Sequence, residues 1–389
     1  MTEEVLFQIT KDNLETGLRG VPVGYCTTST VDPQKGLFYA GLPVAALDKW
    51  EPEKVIFLLY YGREGTPQEV EQFKKELHRR ATVASETKKH IEMLPRKGHP
   101  MALFAAALLI AGMIEGKSDY KEDCLDLIAK IPELTAIVIN YHAGWGKTPP
   151  SKPELGYMEN FAQMLNVPGG KDPKLEHVFK LFNILHYDHG GGNLSTFVGK
   201  AVASGLEDMY GSIVAALNAL AGPLHGRANQ ECLEFVQKML EQLSEKASEA
   251  DVEALIRKKL ANKELIFGFG HAVLRVEDPR ATVQYELAQR YYPQDPLVKM
   301  ASMIRSAGSK VLKENPKIAD PYPNVDAISG ALLTAAGFPY PAYYTVLFGM
   351  ARTVGISIQI VYERKEARGG KGTPIIRPKY LYKDRHAGT

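Results

Sequence analysis

Two stretches, 98–115 and 193–221, are rich in alanine, glycine and leucine and carry few charges. A helix that is apolar on every side must be enclosed by other helices, so a chain with two such stretches needs a large multi-helix bundle around them. The most apolar run, Met101 to Met113, is too short to span a bilayer and reads as a buried helix. Apolar residues recur at intervals of three and four over 69–80, 177–185, 214–222 and 298–314, as helices packed on one face require. Strand-like alternation is confined to 21–42, where β-branched and aromatic residues flank DPQKG, predicting a small hairpin. The fold class is therefore mostly α with a minor N-terminal β-hairpin. At 389 residues the chain exceeds what one core usually supports, which predicts two unequal domains. The charged segment 234–263 contrasts with the apolar helices before it and makes residue 226 the start of a more exposed domain.

Forty-seven basic against 45 acidic residues give a net charge of +2, so no general attraction to nucleic acid or an anionic membrane is expected. Cys26, Cys124 and Cys232 lie far apart and form no CxxC pair, which fits a reducing compartment. The start, MTEEVLFQ, carries acid where a targeting peptide needs base, and the expected location is cytoplasmic.

Four of the ten histidines fall in glycine-rich contexts: His186 and His189 in ILHYDHGGGN, His225 in AGPLHG and His271 in IFGFGHAVLR. Glycine lets backbone approach a ligand closely, so these imidazoles are site candidates; the alternative is that they only satisfy loop carbonyls. His186 is also read as a residue that orients its neighbour. His186 and His189 with a third imidazole could hold zinc, but no HExxH or second acidic pair accompanies them and GGG ends the helical spacing. GFGHAV is a poor copy of a phosphate-binding GxGxxG, and no GxxxxGK[ST] occurs.

Asp326 stands where an apolar helix begins in PYPNVDAISGALL, and on spacing alone it could be a helix cap or first-turn acid. Arg352 lies inside the nearly uncharged LFGMARTVGISI, with no acid within a helical turn. A guanidinium buried there needs a carboxylate from elsewhere, and a substrate can supply one. Arg280 in RVEDPR and Arg377 in IIRPKY are further candidates, although either alone reads as a surface charge.

Together AGPLHGRANQE, GFGHAVLRVEDPR, NVDAISG, YYTVLFGMAR and RPKYLY, with HYDHGGGN and GLRGVP, resemble the citrate synthase family in order and approximate spacing over nearly the whole chain. The resemblance implies a mostly helical homodimer with a large domain (1–225 and 335–389) and a small domain (226–334) that carries the coenzyme A side and the catalytic aspartate. It implies an acyltransferase that condenses acetyl-CoA with oxaloacetate and hydrolyses the citryl thioester. Asp326 matches the base, His225 the donor to the thioester oxygen, and His271 the group that polarises and protonates the oxaloacetate carbonyl. His189, Arg280, Arg352 and Arg377 match the oxaloacetate ligands. Leu224, Gly268, Gly270, Arg275 and Asn324, with Arg19, match the coenzyme A contacts. No metal or other cofactor is implied, since acetyl-CoA is a substrate. The segment 364–389 holds eight basic and two acidic residues; read plainly it is a solvated tail or a nucleic-acid arm, whereas the resemblance has it cross the dimer interface and lend Arg377 to the partner's site.

For the donor role that the resemblance implies for His225, the Gly-Pro before it and the glycine after it hold the ring, and a helix beginning at the following residues favours the neutral imidazole. Three positions depart from the family pattern: Ile328, Arg227, and GGG in place of EGG after His189. They touch no catalytic group but leave acyl-chain preference open, because one methylene is worth only about 1–3 kcal/mol. A 2-methylcitrate synthase using propionyl-CoA is thus the close alternative, and a non-catalytic acyl-CoA-binding or metal-binding protein the distant one.

Overall fold

The structure, a computed structural model, describes residues 5–152 and 154–384; Arg385 and His386 lie outside them. Helices α1 (Pro52–Tyr61), α2 (Pro67–Arg80), α3 (Ser85–Ile91), α4 (Pro100–Glu115), α5 (Tyr120–Ala143), α6 (Tyr157–Met164), α7 (Leu175–His186), α8 (Leu194–Ser204) and α9 (Met209–Leu220) precede the GPLHG turn. After it come α10 (Ala228–Leu243), α11 (Glu249–Ala261), α12 (Pro279–Tyr291), α13 (Pro296–Lys313), α14 (Asp326–Ala335) and α15 (Tyr344–Val361). The periodic segments fall in α2, α7, α9 and α13, and the apolar stretches become α4, α8 and α9.

The helices pack in two groups. Helices α4, α5, α8 and α9 surround α15, while α10 to α14 pack mainly on one another. All eighteen residues of α15 are buried. The stretch Pro341–Glu366 has the length and hydropathy of a membrane span, yet its apolar window is enclosed by the rest of the protein. Pro132 sits inside α5 and removes the N–H that would bond to Ile128. The freed Ile128 carbonyl accepts from the Tyr157 hydroxyl at 2.7 Å, which fixes α6 against α5 and keeps the helix continuous.

The hairpin forms as the sequence predicts. Strands β1 (Ser29–Asp32) and β2 (Gly36–Tyr39) pair antiparallel with Asp32 opposite Gly36, and β3 (Leu42–Pro43) adds a short third strand. The Asp32 carboxylate accepts from the N–H groups of Gln34 and Lys35, closing the turn. The tip reaches the second helix group, where Pro33 accepts from the Arg275 N–H at 2.8 Å and Gly36 lies against Pro279. A Cβ on Gly36 would stand 2.5 Å from the proline ring, so only glycine fits. The hairpin thus joins the HYDHGGGN segment at its base to the start of α12 at its tip.

Candidate active site

The HYDHGGGN segment ends α7 and begins α8, and its geometry is set by buried Asp188. One carboxylate oxygen accepts from the hydroxyls of Thr28 and Ser29, the latter at 2.8 Å. The other accepts from the His189 N–H at 2.9 Å and the Gln359 amide at 2.8 Å. Ser29 also accepts from the Gly190 N–H at 2.7 Å, so β1 and α15 together hold the loop that carries His189. His189 Nε2 is buried with no hydrogen-bond partner, and its ring centre lies 5.1 Å from that of His271. Burial and then the positive field of Arg280 keep His189 well below the usual imidazole range. His186 points elsewhere: it is buried, bonds through Nδ1 to the Phe182 carbonyl at 2.7 Å and stacks on the Phe182 ring.

His225 lies in the tight turn between α9 and α10. Gly226 donates to the Leu220 carbonyl at 2.8 Å, and a Cβ there would stand 2.5 Å from that oxygen; this close approach is what the glycine permits. His225 Nε2 accepts from the Ser195 N–H at 3.3 Å and lies 2.9 Å from the Ser195 hydroxyl. A ring nitrogen that accepts from a backbone N–H carries no proton, so the neutral ring holds its proton on Nδ1. The helix N-terminus whose amide the ring meets is therefore that of α8, thirty residues upstream, rather than only that of the helix that follows. Burial, then Arg352, lowers the His225 pKa to about 4.

The GFGH loop is shaped by two glycines at positive φ, Gly268 at 81° and Gly270 at 83°. Gly268 also lies close against Cys232 and Ala327, where a Cβ would meet atoms at 2.9 and 3.0 Å. Phe269 bridges to Pro323, and Gly270 donates to the Tyr322 carbonyl, which binds this loop to the approach of α14. His271 Nδ1 accepts from the N–H groups of Val273 (3.0 Å) and Leu274 (2.9 Å), leaving the proton on Nε2. Its pKa is lowered to about 4, first by burial and then by Arg280.

Asn324 resolves the capping question raised for Asp326. Its side-chain oxygen accepts from the Asp326 N–H at 3.0 Å and its amide donates to the Gly270 carbonyl at 3.0 Å. Asp326 occupies the first position of α14, after Val325 at the cap. Burial raises its pKa to about 6 against the opposing pull of Arg280. Arg280 itself is buried and held by Asp278, with Nη2 at 2.6 Å and Nε at 3.0 Å from the carboxylate. Asp278 caps α12 with the same group, accepting the Arg280 N–H at 3.0 Å. Arg352 is buried on α15, donates from Nε to the His186 carbonyl at 3.0 Å and lies over the Phe348 ring. No carboxylate salt bridge to it is found among the described residues, and burial lowers its pKa to about 10.

The structure thus gathers His189, His271, Asp326, Arg280 and Arg352, with His225 within the field of Arg352. Of the remaining candidates, Gly268, Gly270, Arg275 and Asn324 adjoin His271 and Asp326, whereas Arg377, Arg19 and Leu224 are exposed. Arg377 is exposed in the extended C-terminal segment, one residue after Ile376, whose N–H bonds to Ser204. Ser204 ends α8, about 13 Å along the axis from Ser195, which meets His225. Arg19 is exposed near the N-terminus and Leu224 is fully exposed beside His225. The Arg275 guanidinium folds back on the carbonyls of His271, Val273 and Leu274. Ser195, Asp188 and Asp278 were missed. Asn193 before a helical run marks Ser195 as first-turn, but nothing local tells that it meets a histidine thirty residues on.

Comparison with known proteins decides the family. The family model described as "Citrate synthase, C-terminal domain" matches residues 17–379. The chain belongs to the citrate synthase family. It is 36 % identical to the mitochondrial citrate synthase of Citrus maxima, over 97 % of this chain and 84 % of that protein. A probable mitochondrial citrate synthase of Leishmania major is 35 % identical over 97 % and 87 %. Among solved structures, the Thermoplasma acidophilum citrate synthase in ternary complex with carboxymethyl coenzyme A and oxaloacetate superposes with a TM-score of 0.81. It is 26 % identical and covers 95 % of this chain and 96 % of its own. Thermotoga maritima citrate synthase gives a TM-score of 0.79 at 29 % identity, covering 95 % of each. These names support the citrate reading and not the 2-methylcitrate alternative. One expectation is corrected. The curated relatives, those of Daucus carota and Arabidopsis thaliana included, are named mitochondrial, which overturns the cytoplasmic assignment. That assignment rested on an acidic start and scattered cysteines, and free thiols persist in more than one reducing compartment.

Proposed function

We infer that this chain is an acyltransferase that condenses acetyl-CoA with oxaloacetate and releases citrate and coenzyme A. The observation that carries the mechanism is a raised carboxyl, Asp326, set among two imidazoles held neutral in opposite tautomers and two buried guanidiniums. Asp326 takes a proton from the acetyl methyl group. The Nδ1–H of His225 donates to the thioester oxygen and stabilises the enol that forms. The enol carbon then bonds to the oxaloacetate carbonyl carbon, and the carbonyl oxygen takes the proton from Nε2 of His271. Water cleaves the citryl thioester, leaving citrate and the coenzyme A thiol. No redox step or further cofactor is needed, acetyl-CoA being consumed as substrate.

Arg280 and Arg352, with His189, receive the two oxaloacetate carboxylates in this reading. The support is that Arg352, in the field of Asp188 and Asp326, makes no salt bridge among the described residues, and that Nε2 of His189 has no hydrogen-bond partner. Coenzyme A lies against Leu224, Gly268, Gly270, Arg275 and Asn324, with Arg19 on its phosphates. The two helix groups are proposed to act as a large domain, 1–225 with 335–389, and a small domain, 226–334, that closes on the substrates. We further propose a homodimer in which Arg377 serves the partner's site; the exposure of the tail that carries it fits that role.

Asp326→Asn tests the base. It keeps size while removing the proton acceptor, so turnover should fall by orders of magnitude with oxaloacetate binding retained. Near-normal turnover would overturn the assignment.

A further inference from the structure

Asn229 lies one turn beyond His225, in the first turn of α10, and no part of the mechanism above uses it. It is 2 % exposed, as deeply enclosed as the core around it. Its amide nitrogen donates to the hydroxyl of buried Ser329, on α14 one turn beyond Asp326. Its amide oxygen has no hydrogen-bond partner. That oxygen lies over Gly330, where a Cβ would stand 3.2 Å from it and 2.8 Å from Leu233. Residues 326, 329 and 330 share one face of α14, because positions three and four apart are helical neighbours. The oxygen is turned to Gly330 and the nitrogen to Ser329, which lies one turn beyond Asp326 on that face. An amide nitrogen has two hydrogens, and Ser329 takes one.

We propose that Asn229 is a positioning residue for the base: its carboxamide spans Ser329 and Asp326, donating to both, and so fixes the carboxylate and favours its ionised form. The inference rests on the reading of Asp326 as the base. The close approach of the Asn229 side chain to Asp326 acts in the direction this requires, lowering a pKa that burial raises. The other groups facing Asp326 are Arg280 and Asp278 from α12, Arg352 from α15 and the Cys232 thiol from α10. The two arginines favour the anion, and Asp278 opposes it. Asn229 is the uncharged donor among them and shares its helix start with His225. One short element therefore sets both the base and the group that stabilises the enol. The sign depends on which end of the amide faces the base. A nitrogen there helps ionisation; an oxygen there would oppose it.

The experiment is the pH profile of kcat for the full-length protein and for Asn229→Ala, Asn229→Asp and Asp326→Asn. Loss of the N–H donor should move the acid limb of Asn229→Ala to higher pH by roughly one unit, the size expected for a hydrogen bond to a charged group. Asn229→Asp, which adds a like charge, should move it further the same way. The position of a limb does not depend on how much of the sample is folded, so a variant that folds poorly still reports. An unmoved or downward-shifted limb in Asn229→Ala, with Asp326→Asn inactive, would overturn the role of Asn229 and leave the base standing. Near-normal turnover in Asp326→Asn would remove the base and the proposal with it.

Discussion

Gly355→Ala tests how α15 holds the loop that carries His189, proposed to bind oxaloacetate. Gly355 donates to the Tyr187 carbonyl at 3.0 Å, and its Cα faces the segment that carries Asp188 and His189. A Cβ there would meet the Tyr187 oxygen and would stand 2.6 Å from both Cβ and Cγ of Asp188. These neighbours are backbone and a carboxylate tied by hydrogen bonds from Ser29, His189 and Gln359, so no flexible chain end can swing aside. The loop must retreat by about half an ångström, and overpacking of this kind costs about 1–3 kcal/mol, here toward the upper end. At about 2.1 cal mol⁻¹ K⁻¹ per residue the unfolding entropy is about 0.8 kcal mol⁻¹ K⁻¹, so the midpoint should fall by roughly 4 °C. The retreat carries His189 with it. Because sub-ångström misplacement of a positioning group already weakens productive binding, KM for oxaloacetate should rise by about tenfold while KM for acetyl-CoA changes little. Thermal melts and steady-state kinetics with each substrate varied in turn decide it. A variant with wild-type melting and wild-type KM for oxaloacetate would refute the claim that this contact sets the loop.

The base and the imidazoles should separate in pH. With Asp326 near 6 and both His225 and His271 near 4, kcat/KM should fall on the acid side with one limb near pH 6, as Asp326 takes up a proton; a limb assigned to either histidine above pH 6 would contradict the site electrostatics. A group whose pKa is raised on folding contributes stability below its unfolded value, and that stability is lost as pH rises through the folded value, so Asp326→Asn should melt higher than wild type at pH 8 but not at pH 4. Mixing Arg377→Ala with Asp326→Asn should form heterodimers with one intact hybrid site and restore part of the activity; verified heterodimers as inactive as both parents would mean that Arg377 serves its own subunit or none.

Much of this arrangement was legible in the sequence, for reasons that differ by residue. Gly268 and Gly270 announced the turn that presents His271, because positive φ and close approach need glycine and little else. Arg352 announced itself by isolation, since a guanidinium in an apolar helix must meet an outside charge. Asp326 remained ambiguous until Asn324, two residues earlier, was seen to do the capping. What the sequence could not show was long-range pairing. Ser195 meets His225 across thirty residues, and Asp188 meets Thr28 and Ser29 across about 160. Neither contact has a period or a motif. The helix N-terminus at His225 was expected from its own sequence neighbourhood, yet the donor comes from α8, because the turn after α9 folds back onto the start of that helix.

The central claim is a carbon–carbon condensation followed by thioester cleavage, and free thiol release reports it directly. Purified protein should liberate coenzyme A thiol from acetyl-CoA only when oxaloacetate is present, with citrate formed in equal amount and with kcat/KM for acetyl-CoA above that for propionyl-CoA. Equal thiol release without oxaloacetate would make the protein a thioesterase, and no release with both substrates present would contradict the account.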